Sequence, residues 1–177
     1  MVLLRLIDKK PDSAIQAAIS KVVSMAQAEF KESFESQYPK TGFGIAELAP
    51  YHVNSGGAGW TNTNFWGASI ATSNTWQDWI NITLTDQAFI INTGFFDREA
   101  NPIITHLRPR IGGEDMPAMN IEQFSTLEEA RIFYEAPFSV KPSSNFTMRV
   151  KADNTGQERI GLMGYCLAKR AFLIREL

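Results

Sequence analysis

The chain contains 177 residues, a length that predicts one domain spanning 1–177 with a core large enough to need no disulfide. Hydrophobic residues make up 44% and charged residues 20%, which excludes a disordered protein. Seventeen lysines and arginines against nineteen acidic residues give a net charge of −2, which argues against a dedicated nucleic-acid-binding protein.

Residues 1–41 are predicted to form a short strand over 2–7 followed by one amphipathic helix. Asp12 or Ser13 can cap this helix. Apolar side chains then recur every three or four residues, which predicts one apolar stripe on the helix surface. The stripe consists of Ile15, Ile19, Val22, Val23, Ala26, Phe30 and Phe34. Such a helix packs across a sheet of its own domain, the commoner arrangement, or docks on a neighbouring subunit.

The start of the chain lacks the basic segment and long apolar run of a signal peptide, so we predict a protein that is not secreted. No run in the sequence approaches 18 consecutive apolar residues, so we also predict no membrane span.

From residue 42 onward, short runs rich in Ile, Val, Phe, Tyr and Thr alternate with Gly, Pro, Asn and Asp, as strands alternate with turns. The predicted strands are 43–48, 65–71, 79–84, 87–93, 103–108, 131–134, 136–140, 145–151 and 159–174, the last broken near Gly164. Eight or more short strands predict a mainly β protein, with residues 42–177 forming a single antiparallel β-sandwich or jelly roll.

Local signals also predict how some of these segments connect. Thr85-Asp86 predicts a tight hairpin between the strands 79–84 and 87–93. Residues 153–156 predict a turn, and 126–131 predict a short helix. The first and last strands share an apolar and basic texture, so we expect them to pair at one sheet edge.

The stretch between Lys40 and Arg98 contains no lysine or arginine, and all four tryptophans lie within it. Charged residues are depleted and aromatic residues enriched at the cores of protein interfaces. A neutral surface rich in aromatic and amide side chains therefore suits burial against another protein, or stacking on sugar rings. The alternative is that the tryptophans fill the sandwich core while the amides lie in turns.

The C-terminal part is basic, with seven basic and three acidic residues over 141–177. Arg149 and Lys151 alternate with Met148 and Val150, so the two cations share one strand face. This face can meet an acidic neighbour or a polyanion, although a solvated strand face is the commoner role.

No motif of a known catalytic class is present. Cys166 lies in a strand-like run, where a lone cysteine is more often inert packing than the partner of His52 or His106. The acidic residues that could pair in a glycosidase are Glu47, Asp97, Glu99, Glu114 and Asp115. Asp97 with Glu99, or Glu114 with Asp115, could also hold Ca²⁺ in a loop. Their spacing matches no motif, so we predict a non-enzymatic protein with no catalytic residues, no metal and no cofactor.

The layout of the chain resembles that of viral jelly-roll structural proteins, such as capsid, cement and penton-type proteins. The resemblance lies in a short N-terminal strand and helix, eight or so short strands, weakly charged Gly/Asn/Pro loops, and a final strand, RAFLIREL. It implies a protein of the virion that makes many identical contacts and has neither turnover nor cofactor.

We therefore predict a non-enzymatic structural protein of a virus particle that forms homo-oligomers or docks on other shell proteins. The helix and the aromatic loops are expected to form the interfaces. The interface residues are predicted to be Ile15, Ile19, Val22, Phe30, Phe34, Trp60, Phe65, Trp66, Trp76 and Trp79.

Two other functions remain open at this point. The first is a carbohydrate-binding β-sandwich, an adhesin or binding module, which needs exposed indole rings. Its residues would be Trp60, Trp66, Trp76 and Trp79 for stacking and Asn62, Asn64, Asn74 and Asp78 for hydrogen bonds. The second is a β-sandwich hydrolase with two carboxylates converging beside the tryptophans.

Overall fold

The computed structural model describes residues 4–6, 43–53, 66–86, 88–122 and 130–169. It also describes six separate positions between residues 13 and 28, all of them helical and exposed. These six are Ser13, Gln16, Ala17, Ser20, Ser24 and Ala28. The apolar stripe of the predicted helix lies outside the described residues.

The larger of the two main sheets has five antiparallel strands. In spatial order they are β1 (Leu4–Leu6), β9 (Ala130–Val140), β5 (Ala88–Asp97), β12 (Ile160–Lys169) and β2 (Phe43–Glu47). β5 and β12 occupy central positions, and β5 is buried at nearly every residue. Its run of apolar residues fits this place, because a strand covered on both faces needs little alternation.

The second sheet has four antiparallel strands and one short addition. The order is β4 (Gln77–Thr83), β10 (Asn145–Ala152), β6 (Ile104–Ile111) and β7 (Glu114–Asp115). A two-residue strand, β8 (Met119–Asn120), also pairs with β6. Both β4 and β10 alternate over most of their length, with one face in the core and the other toward solvent.

Two small elements complete the described architecture. β3 (Ala68–Ile70) pairs with β11 (Gly156–Glu158) as a separate antiparallel ribbon. A single helical turn, α1 (Pro50–Val53), follows β2 and has a largely buried surface.

One apolar cluster receives side chains from both main sheets. Ile90, Phe95 and Ile132 enter it from the five-stranded sheet, while Phe146 and Met148 enter it from the other. The rings of Phe138 on β9 and Phe146 on β10 lie 6.2 Å apart, which joins the two layers directly. The protein is thus mainly β, with antiparallel sheets in a sandwich-like arrangement, as the sequence predicts.

The predicted hairpin between the strands 79–84 and 87–93 is wrong. β4 pairs with β10, while β5 pairs with β9 and β12, so the short connection after β4 passes from one sheet to the other. The alternation of apolar residues identifies a strand but carries no information about its partner. Because β5 is apolar on both faces, it is stabilised by central placement between two long strands.

The expected pairing of the first strand with the final segment, AFLIREL, falls outside the described residues, which end at Lys169. β1 pairs with β9, and two strands separate it from β12. The predicted helix over 126–131 is wrong at residues 130 and 131, which begin β9, and its earlier part lies outside the described residues. The predicted break near Gly164 is confirmed by a shift of register between Met163 and Gly164.

The predicted strands 131–134 and 136–140 are one continuous strand with an irregular middle. Opposite β5, the register moves from Phe138 to Phe133 between Asn92 and Gly94. Pro137, which cannot donate a backbone hydrogen bond, lies within this irregular stretch.

Candidate interaction surfaces

Seven of the ten predicted interface residues lie outside the described parts of the chain. These are Ile15, Ile19, Val22, Phe30, Phe34, Trp60 and Phe65. The remaining three, Trp66, Trp76 and Trp79, occupy three different environments.

Trp79 packs inside the protein's own core. Its side chain is 3% exposed, and its indole Nε1 donates a hydrogen bond of 2.8 Å to the carbonyl oxygen of Gly67. This is the core placement that the sequence left open as an alternative. The ring of Trp79 is therefore accessible neither to a partner protein nor to a sugar.

Trp66 lies half-buried beside the end of β5. Its ring meets those of Trp79 and Phe96 edge-on, with centroids 6.4 and 6.5 Å away. Such edge-to-face contacts fix the orientation of the indole ring. Trp66 therefore presents a fixed aromatic wall to the groove beside it.

This groove has a volume of about 470 Å³ and opens on the face of the five-stranded sheet that points away from the core. Aromatic side chains from β5, β9 and β12 line it together with Trp66: Phe96, Phe133 and Tyr165. The guanidinium group of Arg98 lies 5.1 Å from the centre of the Phe96 ring at its rim. The lining is mixed, since the aromatic walls stand beside two arginines, Arg98 and Arg131, and one acid, Glu47, so the groove can accept an amphipathic side chain.

The same outward face also carries a row of apolar side chains beyond the groove. Phe89, Leu167 and Ile45 are directly opposite one another on β5, β12 and β2, so their side chains form one row across three strands. Phe89 and Leu167 are 2% and 3% exposed, whereas Ile45 at the sheet edge is 45% exposed. We call this set the outer apolar row. Ile91, 0% exposed, begins a parallel row that continues with Tyr165.

Trp76 directly precedes β4 of the other sheet and lies in a charged environment. The guanidinium of Arg108 lies 4.4 Å from the centre of its ring, and the imidazole ring of His106 meets it edge-on at 6.3 Å. One side of the indole is thus already occupied by a cation. Asp78, which the glycan hypothesis assigned to sugar hydroxyls, instead pairs with Arg149 at 3.1 Å.

The predicted acidic residues do not converge on one cleft. Asp97 and Glu99 lie at the end of β5, where the Glu99 N–H donates to Oδ1 of Asp97 at 2.9 Å. Glu114 and Asp115 form β7, and Glu47 lies in β2 at the groove. The hydrolase hypothesis finds no support in this arrangement, because its two carboxylates would have to face one substrate.

A carboxyl group that sequence reasoning missed, that of Glu158, lies beside Asp97. Glu158 is 2% exposed, and its Oε2 accepts hydrogen bonds of 2.8 Å from the backbone N–H groups of Ile103 and Ile104. Burial, followed by the side chain of Asp97, raises the pKa of Glu158 to about 9. The protonated carboxyl joins β11 to the start of β6. In the sequence Glu158 follows a run of turn residues, and no local pattern there predicts a buried carboxyl group.

Cys166 does not act as a nucleophile in its described environment. The thiol is fully buried in the core cluster, and burial raises its pKa to about 12, so the thiolate is not populated at neutral pH. His52 is 4% exposed, burial lowers its pKa to about 4, and its Nδ1 accepts a hydrogen bond from the N–H of Ala49. The imidazole is therefore neutral at pH 7 and caps the turn at α1.

Within the described residues, no three His, Cys, Asp or Glu side chains come close enough together to hold a metal ion. The helices described here include none with the length and apolar character of a membrane span. Neither a protein-family model nor a curated protein sequence matches the chain.

Proposed function

We propose that this chain is a non-enzymatic structural protein of a virus particle, built on a jelly roll and assembling with copies of itself or with other shell proteins. The sandwich serves as a rigid block, and the β2 edge of the five-stranded sheet, where Ile45 is exposed, makes contacts between subunits. The protein then resides in the virion.

The strand pairing supports the jelly-roll part of the proposal. A jelly roll can be described as one long antiparallel hairpin with four strands in each arm. When this hairpin is wrapped, its four strand pairs fall alternately into two sheets. With β1, β3, β8 and β11 set aside, those partners are β2 with β12, β4 with β10, β5 with β9 and β6 with the short β7, and each pair is present. Wrapping orders them as β2-β12-β5-β9 and β4-β10-β6-β7, in agreement with the sheets observed.

The observation that carries the assembly part is the exposed end of the outer apolar row, Ile45 on the edge strand β2, since Phe89 and Leu167 are already buried within the chain. A sandwich needs apolar side chains on the inner face of each sheet only, yet Phe89, Leu167 and Ile45 lie on an outer face. The row runs to the edge strand β2 and ends there in an exposed isoleucine. Exposed apolar edges are sites where a second chain adds contacts.

The test is the oligomeric state of the purified chain. Light scattering on a sizing column, with negative-stain images of the same fractions, is measured across a range of protein concentration and salt. We expect rings, shells or discrete oligomers, since repeated weak contacts multiply in closed assemblies.

The matched variants are Ile45→Asp and Thr83→Asp. Both place a carboxylate on an exposed position of an edge strand, but Thr83 belongs to the other sheet. Ile45→Asp is expected to weaken association about tenfold or more, and Thr83→Asp to leave it unchanged. A chain that stays monomeric under every condition contradicts self-assembly, and a glycan array then tests the carbohydrate-binding alternative.

A further inference from the structure

The solvent-facing side of the four-stranded sheet carries a concentrated set of cations. Phe146, Met148 and Val150 of β10 point into the core, so Arg149 and Lys151 point outward. Leu107 of β6 also points inward, which leaves His106, Arg108 and Arg110 on the same outer side. We call the five outward residues His106, Arg108, Arg110, Arg149 and Lys151 the cationic face.

The register places these cations against one another rather than apart. Arg149 is directly opposite Arg108, and Lys151 is directly opposite His106. Like charges opposite each other in an antiparallel pair destabilise the sheet. The Arg149–Arg108 pair therefore opposes folding except where neighbouring acids offset it, and its presence on this face fits a role in recognition.

Two carboxylates border the cationic face, one on each side. Asp78 on β4 lies 3.1 Å from Nε of Arg149, and Asp115 on β7 lies 3.7 Å from Arg108 and 3.6 Å from Arg110. Among the described residues, four permanent cations of this face thus have two acids as ion-pair partners, an excess of positive charge on a chain whose net charge is −2. The excess lies along the two central strands, with an acidic residue on each flank.

Arg108 is held in a fixed position at the centre of this face. Its guanidinium stacks on Trp76 and pairs with Asp115, and its side chain remains 29% exposed. Its Nε is buried and has no hydrogen-bond partner in the described structure. A pre-positioned arginine on an indole ring is the type of residue pair that dominates the energetics of protein–protein interfaces.

We propose that the cationic face docks an acidic surface of a protein partner, whose carboxylates meet Arg108 and Arg149 between the two flanking acids. An extended polyanion such as a nucleic acid that crosses the strands fits less well, because its backbone would run onto Asp78 or Asp115 on either side. A protein surface can instead alternate its charges to match this pattern. The inference stands apart from the virion proposal, since it rests on the charges of the single chain.

The test measures binding of the full chain to two probes of matched length, labelled poly-L-glutamate and labelled single-stranded oligothymidylate, by fluorescence anisotropy at low ionic strength. We expect poly-L-glutamate to bind more tightly than oligothymidylate, with an affinity that falls as salt screens the contacts. Tighter binding of the oligothymidylate, or no binding of poly-L-glutamate, overturns the proposal.

Three variants locate the binding on the cationic face. Arg108→Gln is expected to weaken poly-L-glutamate binding about tenfold, whereas Arg159→Gln, the same change at a 79% exposed side chain elsewhere, leaves it unchanged. Asp115→Asn removes a flanking acid and is expected to tighten binding severalfold.

Asp115→Asn keeps the proposal testable if Arg108→Gln fails to fold, and the melting temperature of each variant reports on folding. A structural role for the ion pairs predicts no gain of affinity in Asp115→Asn. Equal affinity of Asp115→Asn and the parent chain, or equal losses in Arg108→Gln and Arg159→Gln, therefore contradicts the proposal.

Discussion

Burial and the neighbouring Asp97 keep Glu158 protonated at neutral pH. An unperturbed glutamate ionises near pH 4.5, whereas the folded state holds this proton until about pH 9. Between these two values the folded state binds more protons than the unfolded state, so the free energy of unfolding falls as pH rises. Below pH 4.5 Glu158 is protonated in both the folded and the unfolded state, so its full contribution to stability is present.

Glu158→Gln is expected to stabilise the protein at alkaline pH. The amide oxygen can accept the two backbone hydrogen bonds from Ile103 and Ile104, and the amide group has no proton to lose. The gain over the parent chain should be small at pH 5 and reach about 1–3 kcal/mol at pH 8, measured by urea denaturation. Glu114→Gln, at an exposed acid, serves as control. A gain that is equal at both pH values would contradict this account of Glu158.

At the scale of single elements, the central strands β5 and β12 contain matching irregularities. The register of β5 shifts between Asn92 and Gly94, and that of β12 shifts between Met163 and Gly164. The side-chain amide of Asn92 donates to the carbonyl oxygens of Gly94 and Met163, each at 2.9 Å. These bonds satisfy backbone groups that the irregular ladder would otherwise leave unpaired.

Gly94→Ala is expected to destabilise the fold by about 3 kcal/mol or more, or to prevent folding. A Cβ atom at Gly94 would lie 1.9 Å from the backbone carbonyl oxygen of Ile132, and backbone cannot move aside as a side chain can. The control is Gly112→Ala, where a Cβ meets open space and only the backbone angle φ of +61° is unfavourable.

Gly112→Ala should therefore cost about 1–2 kcal/mol. Urea denaturation of both variants measures the difference between them. If Gly94→Ala is no less stable than Gly112→Ala, then β5 and β9 can separate locally, and the close approach at Gly94 is not required for folding.

At the scale of the whole molecule, the outer apolar row is where we expect the N-terminal region to contact the sandwich. The six described helical positions, from Ser13 to Ala28, are all exposed and all lie off the predicted apolar stripe. We expect the stripe itself, which lies outside the described residues, to pack over the buried part of the row at Phe89 and Leu167. Ile45 is then left open for contact with a second chain.

Ile19→Asp and Ser20→Asp test this arrangement with the same charge at neighbouring positions. Ile19 lies on the stripe and Ser20 on the exposed side. At concentrations where the chain is monomeric, Ile19→Asp should lower stability by about 2–4 kcal/mol and raise the binding of a hydrophobic dye. Ser20→Asp should change stability by less than about 0.5 kcal/mol. Similar behaviour of both variants would instead indicate that the stripe contacts another subunit.

The sequence by itself determined the class of this protein and the location of most strands. Alternating and β-branched runs identified β2, β4, β6 and β10 to within a few residues, because the period of two along a strand is a local property. The turn at 153–156 and the break at Gly164 were likewise readable from residue types that favour irregular backbone. The outward position of Arg149 and Lys151 followed from the same alternation.

Only the tertiary structure decided which strands pair and which side chains meet. The hairpin expected after β4 is not formed, because strand pairing depends on how each strand is buried on both of its faces. That burial is a property of the whole fold. The contacts of Glu158 with Ile103 and Ile104, and the stacking of Arg108 on Trp76, join residues far apart in the chain. Such contacts leave no local pattern in a sequence, since the free energy that selects them comes from packing between elements rather than within them.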